Sequence, residues 1–142
     1  DEWLGKGTRV ILPITDPYVA HHSALGSFAT VHVPAGTDTA ALMKRIQTLA
    51  GIDKVLSKAE ACETFGLPGD GIGDIVVTST RFMTIGTAAE KHDLSGLDEP
   101  LRSHGGLTEQ RVPMISNRKL KLVPNHTLRN FDVFDVALNR TV

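Results

Sequence analysis

The sequence predicts an α/β fold, on three observations. Short apolar runs closed by turn residues recur along the chain. Leu42, Met43, Ile46, Leu49 and Ala50 form one apolar stripe at helical spacing between two of these runs, and Ser57-Lys58-Ala59-Glu60 is a capping box that opens a further helix. With 142 residues, 41% of them hydrophobic, the chain is long enough for one ordinary core.

The elements follow in order. Arg9 to Ile14 is apolar, is closed by Thr15-Asp16-Pro17, and reads as a strand. From Ser27 to Val33, Phe28, Thr30 and His32 share one face and Ala29, Val31 and Val33 the other, before Pro34 and Gly36 end the run. The stripe predicts a helix over about 38–50, with Lys44, Arg45, Gln47 and Thr48 outside the stripe and Gly51 at the C′ position. The capping box, with Leu56 and Ala61 spaced as a hydrophobic staple, predicts a helix over 58–65 ended by Gly66. Pro68-Gly69-Asp70-Gly71-Ile72-Gly73 then turns the chain into a strand at 74–79. Residues 27–78 therefore read as strand, helix, helix, strand. Further strands are predicted at 81–85, 112–115 and 119–123, the last because Lys119 to Val123 alternates. A helix over about 130–139 closes the chain, with Asn130 as N-cap and Phe131, Phe134 and Leu138 on one face.

Composition narrows the function. A formal net charge of -1 lacks the basic footprint that general nucleic-acid binding needs. No apolar run approaches the roughly 20 residues that span a bilayer, and no signal peptide is visible. The single Cys62 excludes an intrachain disulfide and fits a reducing compartment, so a cytoplasmic protein is expected. Asp1-Glu2-Trp3-Leu4-Gly5 reads like the end of a helix with its glycine cap, and the chain is expected to be a fragment of something longer.

The stretch that suggests chemistry is Ser103 to Ile115. His104 stands against Gly105 and Gly106, which permit a tight turn with positive φ and let the histidine project from a bend. Glu109 and Arg111, of opposite charge, could orient the loop. This suits a metal ligand delivered at the rim of a sheet, although one ligand cannot hold a metal. Adjacent His21 and His22 point to opposite faces of an extended segment, so at most one serves a given site; a substrate- or metal-facing role competes with a turn or edge position. His32 reads as an ordinary strand residue, and His92 and His126 as solvated loop residues. Cys62 lies on the apolar face of its helix with Phe65, as a buried structural thiol. The glycines at 69, 71 and 73 precede a strand, whereas a dinucleotide fingerprint follows one and opens a helix. No Ser-His-Asp arrangement can be assigned and no carboxylate pair has diagnostic spacing.

Gly73-Asp74-Ile75-Val76-Val77, a long loop, Ser103-His104-Gly105-Gly106 and Val112-Pro113-Met114-Ile115, in that order, resembles the C-terminal part of the alkaline phosphatase superfamily, nearest its nucleotide pyrophosphatase/phosphodiesterase-like branch. Leu12-Pro13-Ile14-Thr15-Asp16-Pro17-Tyr18-Val19 with His21-His22, and Ser103 to Ile115, is similar to members of that branch that act on phosphonoacetate. The resemblance runs over essentially the whole chain. It implies the C-terminal part of an alkaline-phosphatase-like sheet core, with 1–26 and 81–142 as core segments and 27–80 as an inserted α+β cap. It implies hydrolysis of the carbon–phosphorus bond of a small phosphonate, giving acetate and phosphate, at two zinc ions held by Asp and His residues, with a threonine nucleophile. His104 matches the late histidine ligand of one zinc; His21 and His22 are the candidate substrate contacts. The other ligands, the threonine and the lysines that meet the substrate carboxylate belong to the family's earlier half, so no catalytic residue is assigned in this chain, and alone it is expected to be silent. Self-association as a homo-oligomer through unpaired strand edges stays open. So do a related phosphodiesterase or phosphatase of the superfamily and a non-catalytic binding module.

Overall fold

The computed structural model describes residues 4–12, 25–87, 92, 95 and 104–142. The chain forms two compact units, Asp1–Arg111 and Val112–Val142. In the first, β1 (Arg9–Ile11), β2 (Phe28–His32), β3 (Ile52–Ser57) and β4 (Ile75–Ser79) make an antiparallel four-stranded sheet in the order β1-β2-β4-β3. β1, from the 1–26 segment, pairs with β2 from the 27–80 segment. The architecture is mixed α/β, and β4, buried along its whole length, is the centre of it.

Alternation along β4 divides the core in two. Ile75 and Val77 pack with Val31 and with Leu42 and Ile46 of α1 (Thr39–Gln47), whereas Val76 packs with Ile72 and with Ala61 of α2 (Lys58–Phe65). Successive strand side chains point to opposite faces, so one helix covers each face of the sheet. β2 obeys the same rule: Ala29 and Val31 are buried on the α1 side, and Phe28 packs on the α2 side, edge-on to Phe65 with ring centroids 6.3 Å apart. The two helices are well specified locally. Asp38 Oδ1 accepts the Ala41 N–H at 3.0 Å to cap α1. In α2, Ser57 N–H and Oγ both donate to Glu60 Oε2, at 2.8 and 2.6 Å, and the Leu56 side chain packs on the cluster of Ala61. Gly66 ends α2 at φ 65°, its N–H on the Cys62 carbonyl at 2.9 Å.

Several expectations need correction. α1 stops at Gln47 with Thr48 as C-cap; Gly51, at φ 84°, belongs to the turn into β3 and not to the helix end. β3 itself was not foreseen, and its ladder with β4 is irregular between Ile52 and Lys54. Residues 81–85 form no strand: Thr80 to Met83 is a turn closed by Met83 N–H on the Thr80 carbonyl, and Ile85 makes a single bridge to Gly26. In the second unit, 112–115 is not a strand, and 119–123 contributes only the bridge of Leu120 to Thr141. α3 (Asp132–Asn139) is present, but Phe131 and not Asn130 is its N-cap residue, without a side-chain bond. The residue buried on α3 is Val136; Phe131, Phe134 and Leu138 are 59%, 72% and 80% exposed.

Candidate functional site

The histidine turn is fastened to the lead-in of β2. Ser27 N–H donates to the His104 carbonyl at 2.8 Å. Ser27 is itself held from several directions: its carbonyl accepts Ser79 N–H at 3.0 Å, and its hydroxyl lies 3.3 Å from the Met83 carbonyl, which also accepts the Ser79 hydroxyl at 2.7 Å. Gly26 beside it accepts Ile85 N–H at 2.7 Å. The bend at His104 therefore hangs from a buried junction of β2, β4 and the 80–83 turn.

Both glycines after the histidine are required by geometry. Gly105 sits at φ 82°, where L side chains are strained, and a Cβ there would be 3.0 Å from the Phe28 Cβ. A Cβ on buried Gly106 would lie 2.8 Å from the Ser27 Cβ and 3.1 Å from Glu109 Oε2. The chain then enters a single 3-10 turn, Leu107–Glu109, in which Gly106 N–H donates to Glu109 Oε2 at 2.9 Å and Glu109 N–H returns to the Gly106 carbonyl at 3.1 Å. Arg111 makes no ion pair with Glu109 among the described residues. His104 is half-buried, and its imidazole has no hydrogen bond or ion pair among the described residues.

Among the described residues, none of the other candidates hydrogen-bonds to it. His21, His22 and Ser103 lie outside the described residues. His32 stands opposite Arg9 in the β1–β2 ladder. His92 is not merely solvated: its Nε2 accepts the Thr87 N–H at 3.2 Å, which places the proton of the neutral ring on Nδ1. His126 Nε2 lies 3.3 Å from Asp132 Oδ2, with half of its side chain still exposed. Cys62 is half-buried against the α2 cluster, as a small packing residue. An open cavity of about 460 Å³ lies on the α1 side of the sheet over Ala29, Val31 and Val77 and under Ile46. Among the described residues its lining holds no carboxylate and no histidine, and Arg9 is the one charged group. Periodicity gave no signal for it, because a gap beside a half-covered sheet face depends on what packs there.

No group of three or more His, Cys, Asp or Glu capable of holding a metal occurs among the described residues. A catalytic zinc takes about three protein ligands, and the described residues offer His104 alone, so they do not by themselves fit a resident metal. What the arrangement does is hold one imidazole at the end of a sheet, on a backbone anchored from both sides. No helix among the described residues is long and apolar enough to cross a membrane.

No family model matches the sequence. Thirty-one residues are 61% identical to a phosphonoacetate hydrolase of Penicillium oxalicum, a match that covers 21% of this chain and 43% of that protein. The chain is also similar, at 60% identity over 94% of its length and with a TM-score of 0.76, to crystal structures of phosphonoacetate hydrolase from Sinorhizobium meliloti 1021, one in complex with phosphonoformate and one with phosphonoacetate. It spans 33% of the length of those solved relatives.

Proposed function

We propose that this chain, 60% identical over 94% of its length to phosphonoacetate hydrolase from Sinorhizobium meliloti 1021, is a part of a hydrolase that cleaves the carbon–phosphorus bond of phosphonoacetate to acetate and phosphate. The observation that carries the reading is 60% identity, sustained over 94% of the chain, to an enzyme whose crystal structure holds phosphonoacetate. On this reading residues 27–80 form a cap, to which β1 adds an outer strand, and 81–142 carry the histidine turn into an alkaline-phosphatase-like core. A cap of this kind excludes water and shapes access to the substrate. His104 delivers one imidazole nitrogen to the site. Zinc is the cofactor of the proposed enzyme, and His104 supplies one of the ligands it needs; no catalytic step is assigned to the metal from this chain. His21 or His22 stands as the substrate contact of the reading.

The test uses the full-length polypeptide that carries this chain. Phosphate release from phosphonoacetate should exceed turnover of a nitrophenyl phosphodiester, and His104→Ala should lower it by about 100-fold or more, the scale set by a misplaced or missing site group. Preference for the diester would reassign the protein to a related phosphodiesterase. Unchanged hydrolysis in His104→Ala would remove the histidine from the site. The 142-residue chain alone should release no phosphate, and its thermal midpoint should be nearly the same with and without the imidazole.

A further inference from the structure

We infer that Glu109 is a positioning residue for His104, an inference that rests on the functional reading of His104 given above. The imidazole makes no hydrogen bond among the described residues, so within them its direction is set by the backbone that carries it. On one side the His104 carbonyl is held by Ser27 N–H at 2.8 Å. On the other side the chain passes through Gly105 and Gly106, the pair with the widest choice of φ and ψ, and left to themselves such residues sample many bends. The bond that removes this freedom is Gly106 N–H to Glu109 Oε2, 2.9 Å and charge-assisted. Its return partner, Glu109 N–H on the Gly106 carbonyl at 3.1 Å, closes the same turn, so Gly106 and Glu109 move as one block. That block is pressed on the sheet, since Gly106 has no room for a Cβ beside Ser27. The glycines permit the bend, and the carboxylate selects one version of it.

Reach and charge can be separated. Glu109→Asp keeps the charge but is one methylene too short to close the turn, whereas Glu109→Gln keeps an acceptor oxygen at the same reach and loses the charge. In the full-length polypeptide, E109D should lower kcat for phosphonoacetate by about 10- to 100-fold with little change in KM, and E109Q should stay within about threefold of the parent, because misplacement by an ångström costs on this order. Nitrogen-15 spectra of the histidine rings should show one sharp His104 signal in the parent and in E109Q, and a broadened or doubled one in E109D. A parent-like ring signal in E109D overturns the inference whatever the kinetics, and so does E109Q behaving like E109D, because an acceptor at the right reach would then not restore the bend. His104→Ala separates the two readings: full activity there sinks the functional role of His104, and the ring spectra of E109D still decide whether Glu109 orients it.

Discussion

Gly73 shows how a single residue can carry a packing constraint that its neighbours do not. A Cβ on it would stand 2.7 Å from the Val31 carbonyl oxygen and 2.9 Å from the Val31 nitrogen, both backbone atoms of β2 that cannot swing away. Gly71, two residues earlier, has nothing nearer than 3.9 Å. Gly73→Ala should therefore cost about 1–3 kcal/mol or more, the range of forced overpacking, while Gly71→Ala should be near neutral; paired urea melts read the difference. Thr78 offers the opposite case. It is 1% exposed, and its hydroxyl is a buried oxygen without a hydrogen-bond partner among the described residues. An unmade bond of this sort costs about 1–3 kcal/mol relative to a satisfied one, so Thr78→Val, which keeps the branched shape, should leave stability unchanged or raise it. A loss above 1 kcal/mol would mean, on the same scale, that the hydroxyl does find a partner. The glycine cluster was legible as a turn. Which of its glycines touches the sheet was not, because that depends on a strand some forty residues away in sequence.

Among the elements, α2 was readable to the residue because its start and stop are both local chemistry: Ser57 and Glu60 at one end, Gly66 at the other. Ser57→Ala should destabilise the chain by about 0.5–2 kcal/mol, the usual cost of a lost cap. The same box makes a pH prediction. The hydrogen bonds from the Ser57 side chain and then its backbone hold the Glu60 carboxyl below its ordinary 4.5. A depressed folded-state pKa means that the unfolded chain takes up the proton first, so the contribution is whole above pH 4.5 and drains away as the pH falls through the folded value. Midpoints measured from pH 6 down to about 3 should fall more steeply for the parent than for Glu60→Gln; equal slopes would remove the box from the acid response. Strands fared less evenly. β4 declared itself as an unbroken apolar run, as a strand buried on both faces does. β3 did not, because Asp53 and Lys54 interrupt Ile52, Val55 and Leu56, and the irregular ladder at that place breaks strict alternation. Residues 119–123 alternate correctly yet make one bridge, since a strand needs a neighbour and pattern alone supplies none. The apolar stripe of α3 was likewise visible, and its exposure was not.

At the scale of the molecule, the family likeness and the histidine turn were both legible, because Ser103 to Ile115 is contiguous and its glycines state their own purpose. The antiparallel order β1-β2-β4-β3 was not, for it places β4 between segments that precede it by very different lengths of chain. That order has a consequence in time. β3 and β4 are separated only by α2 and a turn, whereas β2 reaches β4 across α1, β3 and α2 together. Loop-closure entropy grows as the logarithm of loop length, about 0.6 kcal/mol for each doubling, so the nearer pairing is the less costly one to make first. We expect the β3–α2–β4 segment to form the nucleus and β2 to join afterwards, drawing Ser27 into its place as it does. Val55→Ala should then slow refolding, and Ala29→Gly should chiefly speed unfolding, in stopped-flow chevrons; the reverse assignment would refute this order. The anchor of His104 would thus be among the last contacts to form and the first to be lost, so that in a population of chains loosened by heat or mild denaturant the histidine goes astray before the sheet beneath β4 has opened.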